Sequence, residues 1–285
     1  RPKVDRRSGL VTHRIVASVF LSMALLGASV AGETDKNPPW GKWREIELTA
    51  RGGAFLSGRV DIERTGTSKP SEIRMRTVAR FFGARVADSE STTTLQRRTG
   101  LPQRSVRRSR KRAAIYQFDP RGYRVKKLKP ERGSHRPLSE WTTYRNKRFE
   151  FPVDAEGHPL RAHNFPSMLI GLGRQPLHDV GDEVRVLVAT GDGPRYFTVT
   201  VVEREILDRQ FAVDTGRDQR SKKKEWSTSA LRLNIVPEDE TAEGLLNMQG
   251  ETEVWVEAES RTLLHISGDV PKMGRRLRLG LSRMR

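Results

Sequence analysis

A chain of 285 residues is long enough for one large or two small domains with a substantial core. Hydrophobic residues make up 35% and charged residues 31%, which excludes a wholly disordered chain, while the net charge of +18 favours anionic surroundings. There is no cysteine, which rules out disulfides, thiolate metal sites, a Cys nucleophile and a lipid-modified N-terminal Cys, so stability rests on the core.

The N-terminus has the pattern of an export signal. Arg1, Lys3, Arg6, Arg7 and Arg14 against Asp5 give a basic head, Ile15 to Gly32 is uncharged, and Ser29-Val30-Ala31 fits a small-residue cleavage site. Residues 1–31 are therefore predicted as a secretory signal peptide; the alternative is an uncleaved anchor in the inner membrane, since the uncharged run has about the minimum length for a span. Cleavage removes five basic and one acidic residue, a net of +4, and leaves +14 of the +18. A periplasmic protein is expected, with no membrane span after cleavage. Export also separates it from chromosomal nucleic acid, so the charge points to envelope polyanions or acidic lipid headgroups.

Residues 32–42 are polar and Pro-containing and read as a lead-in. From Trp43 the apolar residues alternate: Ile46 and Leu48 first, then Ala54 to Arg64, then Ile73 to Phe82. The pattern fails over Ser91–Arg112, where no acidic residue separates Glu90 from Asp119; this reads as a basic loop near 97–112. Ala113–Asp119 and Tyr123–Leu128 form a predicted hairpin around Pro120-Arg121-Gly122. Lys129–Arg148 is polar and basic, and Phe149–Asp154 reads as a short strand.

Asn164 to Pro176 differs in kind. An N-cap residue, a short apolar run and a Pro stop predict a buried helix against which the sheet curves. Val184, Val186 and Val188 then face Phe197, Val199 and Val201 across Gly191-Asp192-Gly193-Pro194, a hairpin. Ile206, Phe211 and Val213 continue the meander, a second basic loop lies near 217–224, Ala230–Val236 is a strand, and Pro237–Gly250 is an acidic connection. Three strands close the chain: Glu253–Glu259, Leu263–Gly268 and Arg275–Arg283, with Trp255, Leu277, Leu279 and Leu281 expected to seal the sheet over the helix. About a dozen strands and one helix predict a mainly β single domain over 43–285, an antiparallel curved sheet in a barrel or half-barrel with the helix packed against it.

No motif supplies chemistry. His158 and His163 are five apart and lack the Glu of a zinc-protease helix; the Gly-x-Ser-x-Gly elbow is absent; Gly171-x-Gly173 falls within the helix rather than after a strand. Ser167 reads as a helix-capping residue. No catalytic residue, metal site or cofactor is predicted. The candidate anion-binding residues are Arg104, Arg107, Arg108, Arg110, Lys111 and Arg112. A second pattern interleaves Tyr116, Phe118, Tyr123, Trp141, Tyr144 and Phe149 with Arg121, Arg124, Lys126, Lys127, Arg145, Lys147 and Arg148, which suits glycan or single-strand binding but fits an ordinary half-buried strand better.

Five stretches stand in order through the second half: Asn164-Phe165-Pro166-Ser167-Met168-Leu169, Val180-Gly181-Asp182 before a hairpin, Val254-Trp255-Val256 with Glu257 to Arg261, Ile266-Ser267-Gly268, and Met273-Gly274-Arg275-Arg276-Leu277. On these residues the second half resembles the family of domain of unknown function 3108, found in exported bacterial proteins. The resemblance covers roughly residues 40–285 and departs from the family in lacking a Pro after Arg261. It implies a curved antiparallel sheet, an envelope location and no established enzymatic activity, and it transfers no functional residue. Two functions follow as expectations: a non-enzymatic periplasmic protein binding or carrying an apolar or amphipathic envelope component, or an interaction module holding an acidic protein or envelope polymer through basic loops.

Overall fold

Alternation along one strand becomes a buried face only when the neighbouring strand answers it in register. β1 (Glu45–Gly52) and β2 (Leu56–Thr65) do so: Ile46 lies opposite Ile62 and Leu48 opposite Val60, all four buried. The computed structural model describes residues 43–52, 56–65, 71–131, 136–213, 222–239, 248–270 and 275–285. The predicted signal peptide and lead-in lie outside the described residues.

The remaining strands are β3 (Glu72–Phe81), β4 (Ala84–Leu95), β5 (Pro102–Ser109), β6 (Ala113–Asp119), β7 (Gly122–Lys129), β8 (Thr142–Glu150), β9 (Glu183–Thr190), β10 (Gly193–Val213), β11 (Lys222–Pro237), β12 (Gln249–Glu257), β13 (Leu263–Val270) and β14 (Arg275–Met284). They form one sheet in the order β8-β7-β6-β5-β4-β3-β2-β1-β14-β13-β12-β11-β10-β9. Short connections keep sequence neighbours side by side, so the chain lays down two meanders, joined where β1 pairs antiparallel with β14. β10 shifts register between Val201 and Glu203, and its far end meets β14 in parallel at Ala212 and Val213, closing β10 to β14 into a ring.

A buried apolar row crosses the sheet. Val201, Leu233, Val254, Ile266 and Leu279 are successive partners from β10 to β14, and Leu281 continues the interior to Leu48 and Val60. Each such side chain stabilises the fold by roughly 1.5–3 kcal/mol on burial. The interior is plugged by α1 (Phe165–Gly171), whose Pro166, Ser167, Met168 and Leu169 are buried. Asn164 and Ser167 form a reciprocal capping box: the Asn164 side chain accepts from the Ser167 N–H at 3.0 Å, and Ser167 Oγ accepts from the Asn164 N–H at 3.0 Å. The helix ends at Gly171 rather than at the predicted Pro176. Two glycines of low helix propensity let the chain tighten into a 3₁₀ turn at Leu172–Arg174.

The two sheet edges approach each other but do not share a ladder. Tyr123 of β7 donates its hydroxyl to the Thr190 carbonyl at 3.0 Å, and it packs with Val125, Phe151, Ala162, Leu187 and Ala189. His163 then pairs along β9, its N–H donating to Leu187 and its carbonyl accepting from Ala189. The linker after β8 thus closes the seam, and the predicted barrel-like mainly β architecture is what the chain adopts.

Several local expectations are corrected. Half of the basic loop predicted at 97–112 is strand: β4 ends before it at Leu95, and β5 spans Pro102–Ser109. Its inward positions carry small polar residues instead of apolar ones, and these are satisfied by each other: Thr93 Oγ1 lies 3.0 Å from Ser105 Oγ, and Asn164 Nδ2 donates to Thr93 at 2.8 Å. Lys129–Arg148 likewise contains most of β8, an edge strand exposed on both faces, where charge is the usual protection against further pairing. The strand predicted at Phe149–Asp154 is only the end of β8. The second basic loop lies outside the described residues as far as 221, and Lys222 to Lys224 belong to β11. Trp255 does not seal the sheet over the helix. Val254 and Val256 take the inward face, so Trp255 points to the other side, edge-on to His265 at 4.7 Å, with its indole N–H on Glu205.

Candidate functional site

Consecutive basic residues in a strand are divided between its faces, and this dismantles the cluster predicted from sequence. Arg104 points outward and is exposed, whereas Arg107 is half-buried on the opposite face, in a cross-strand row with Ser91, Ala114, Lys127 and Arg145. Arg108 shares the face of Arg104 but is committed locally: its guanidinium lies over Trp141 at 5.1 Å and donates to the Arg136 carbonyl at 2.9 Å. Arg110, Lys111 and Arg112 are exposed in the β5–β6 turn, about 20 Å along the strand from Arg104. The six residues do not form one patch.

The sheet assembles a different basic surface. Arg104, Gln117, Arg124 and Arg148 are successive partners across β5 to β8 on the outer face, and Lys126 stands two residues beyond Arg124. Strand spacing puts Arg104 about 10 Å from Arg124, with Arg124 about 5 Å from Arg148 and about 7 Å from Lys126. Arg148 is engaged bidentately by Asp119 at 2.7 and 3.1 Å, and that hydrogen-bonded pairing holds the Asp119 carboxyl below the usual carboxylate range. Among the described residues, Arg104, Arg124 and Lys126 have no acidic partner. Like charges directly opposed across a ladder are unfavourable, so Arg124 facing Arg148 is a feature that folding alone does not call for.

Most of the interleaved aromatics do not serve this surface. Tyr116, Phe118 and Phe149 lie on the inner face around the fully buried Tyr123, with ring centroids 5.4–6.3 Å away. Trp141 is buried against Ala113 and Leu128. Tyr116, Phe118, Tyr123 and Phe149 thus turn inward while Arg104, Arg124 and Lys126 turn outward; Trp141 is covered by Arg108 on the outer side, and Tyr144 is exposed. On the inner face, Lys127 and Arg145 both reach Asp192 in the β9–β10 turn, at 3.2 and 2.9 Å, and so pin the hairpin to the seam.

The histidines elsewhere lie in separate surroundings. His158 faces Asp154 at 3.6 Å, while His163 Nδ1 lies 3.2 Å from Ser167 Oγ, so the two histidines serve different neighbours. Ser167 is buried within the capping box, as the sequence predicted. His265 is 8% exposed, with Nδ1 lacking a hydrogen-bond partner among the described residues; burial, reinforced by Arg209 and Arg278, pushes its pKa down to about 4. No group of three His, Asp or Glu converges to hold a metal among the described residues.

Apolar side chains of the sheet and α1 pack together in the barrel interior among the described residues. Beside α1 there is a pocket of about 60 Å³ at the end near β1, β2 and the β12–β13 turn, against roughly 300–1,000 Å³ for a typical small-molecule site. Its walls are mainly Trp43, Ile46, Ile62, Met75, Leu169 and Ile170, and two arginines, Arg64 and Arg261, stand among them. The Arg64 guanidinium covers the Trp43 ring at 4.0 Å and its Nε donates to the Trp43 carbonyl at 2.7 Å; burial lowers its pKa to about 10, leaving it charged at neutral pH. Sequence reasoning missed this pair because neither arginine lies in a basic run.

No protein-family model matches the sequence, and no curated protein matches it. Among solved structures the chain is similar to a β-barrel-like protein of domain of unknown function DUF1849 from Brucella abortus, with 12% identity and a TM-score of 0.46 over 84% of this chain and 95% of that one. It is also similar to a porin-like protein from Bacteroides uniformis, with 8% identity and a TM-score of 0.28 over 85% of this chain and 98% of that one. Neither likeness bears on activity. Among the described residues, no helix is long and apolar enough to cross a membrane.

Proposed function

We propose that the protein is a non-enzymatic, exported interaction module that holds a polyanionic envelope polymer on the outer face of β5 to β8. The observation that carries this reading is the row of Arg104, Arg124 and Arg148 with Lys126 beside it, in which three cations have no acidic partner among the described residues. The packing of apolar side chains around α1 weighs against carriage of a long apolar chain and favours a surface role. The basic head and uncharged run of residues 1–31 support export, and the resemblance of the second half to the family of domain of unknown function 3108 supports an envelope setting. Envelope polymers bearing phosphate or uronate groups supply repeated negative charge at the reach of such a row.

The test is retention of the full chain on immobilised polyphosphate across a salt series. Replacing Arg104, Arg124 and Lys126 together by Gln is expected to lower the salt needed for elution, because exposed charges act through a Debye length of about 8 Å at physiological salt. Replacing Arg110, Lys111 and Arg112 by Gln is expected to have the smaller effect. Equal elution of the first variant and the parent would remove the outer face from consideration.

A further inference from the structure

Of the four tyrosines in the chain, one is left open. Tyr116 and Tyr123 turn inward and pack together, and Tyr196 lies under the Arg185 guanidinium at 3.5 Å. Tyr144 is 46% exposed and makes no hydrogen bond or ring contact with the described residues. Its side is fixed by its neighbour in β8. Arg145 turns inward to Asp192, so alternation turns Tyr144 and Asn146 outward, onto the face of Arg124 and Arg148.

The ladder registers set what surrounds the ring. Asn146 lies opposite Lys126, which puts Tyr144 diagonally about 7–8 Å from Lys126. Lys126 stands about 7 Å along β7 from Arg124, and Arg124 stands two strands, about 10 Å, from Arg104. Beside Lys126 the half-buried Ile115 of β6 adds an apolar patch. Two carboxylates share the face, Asp119 and Glu150, and both stand beside Arg148 at the end away from Tyr144. Asp119 accepts from the Arg148 guanidinium, and Glu150, two residues beyond it, acts on it electrostatically. An open ring and three cations therefore lie on one diagonal, from Tyr144 through Lys126 and Arg124 to Arg104.

Building on the polyanion reading of this face, we infer that the diagonal is a binding site for an acidic glycan, a polymer of uronate sugars. One sugar ring lies on Tyr144, and the carboxylates of the sugars that follow meet Lys126, Arg124 and Arg104. A sugar presents a C–H face to an aromatic ring and hydroxyls to an amide such as Asn146, whereas a polyphosphate presents charge alone. The guanidinium fork matches a carboxylate in its own plane. A tyrosine, with two side-chain torsions, supplies contact area at small cost in entropy.

Titration calorimetry of the full chain at constant ionic strength, with hexagalacturonate and with a polyphosphate of matched charge, tests the inference. The parent is expected to bind both, and to bind the uncharged maltohexaose about ten-fold more weakly than hexagalacturonate, or weaker still. Tyr144→Ala is expected to weaken hexagalacturonate about three- to ten-fold and to leave polyphosphate unchanged. Tyr144→Phe is expected to keep the parental affinity for both, since the ring makes the contact, and Arg124→Gln to weaken both. Equal effects of Tyr144→Ala on the two polymers, or polyphosphate binding without hexagalacturonate binding, would overturn the glycan assignment and leave the polyanion reading standing. A thymidine oligonucleotide that binds more tightly than hexagalacturonate and loses affinity in Tyr144→Ala would overturn it in favour of a single-stranded nucleic acid. Binding of neither polyanion by the parent would overturn both readings.

Discussion

Asn164 is where the helix plug is tied to the sheet, and a double-mutant cycle with Thr93 measures that tie. The Asn164 side chain caps α1 through Ser167 and, with its other atom, donates to Thr93 Oγ1 in β4 at 2.8 Å. Asn164→Ala removes the cap, about 1 kcal/mol, and one net hydrogen bond, about 1 kcal/mol. It also strands the Ser167 N–H in a buried place, so about 2–3 kcal/mol is expected in total. Thr93→Val keeps the shape but deletes the hydroxyl that Asn164 and Ser105 share; because Thr93 is 0% exposed, neither partner gains water in its place, and about 1–2 kcal/mol is expected. The two losses overlap at one hydrogen bond, so the double variant is expected to be less destabilised than their sum by about 1 kcal/mol. Urea unfolding read by near-UV circular dichroism, with the slope checked for constancy, supplies the four free energies. Additivity to within about 0.3 kcal/mol would show that the helix is not anchored through this pair, and the account of why a polar face is buried between β4 and β5 would fail with it.

Two further outcomes follow from particular contacts. His265 titrates near 6.5 in an unfolded chain but at about 4 in the fold, where burial and then Arg209 and Arg278 oppose its charge, with Glu253 acting the other way. As pH falls through this window the unfolded state takes up the proton first, so the stability present above pH 6.5 declines towards pH 4, by on the order of 3 kcal/mol from this group. His265→Gln should flatten the pH profile of the urea midpoint over that interval, and an unchanged difference between the two profiles would contradict the buried neutral imidazole. Gly122 opens β7, and a Cβ added there would fall against the Phe149 carbonyl oxygen, with Glu150 Cα at 3.0 Å. Because backbone rather than a flexible side-chain tip stands in the way, Gly122→Ala should lower stability by about 1–3 kcal/mol or more and increase amide exchange in β8, measured by hydrogen–deuterium exchange.

The sequence by itself determined the class of fold and much of its order. Period-two alternation in Ile46–Leu48, Val184–Val188, Phe197–Val201 and Leu277–Leu281 is a consequence of the pleat, and it survives wherever one strand face meets an apolar core. The Asn164–Ser167 cap and the apolar run behind it were equally legible, since capping is a contact between near neighbours in the chain. Where the inward face is polar, as at Thr93 and Ser105, the same strands were invisible, because the hydrogen bonds that satisfy them come from residues on other elements. Edge strand β8 left no apolar signature at all. The sites belong wholly to tertiary structure. Whether Arg104 and Arg107 stand together depends on which face each takes, and Arg124 joins Arg104 only through the registers of three ladders. Arg64 and Arg261, 197 positions apart in the sequence, become neighbours only because β1 pairs with β14 and brings the two meanders around one helix.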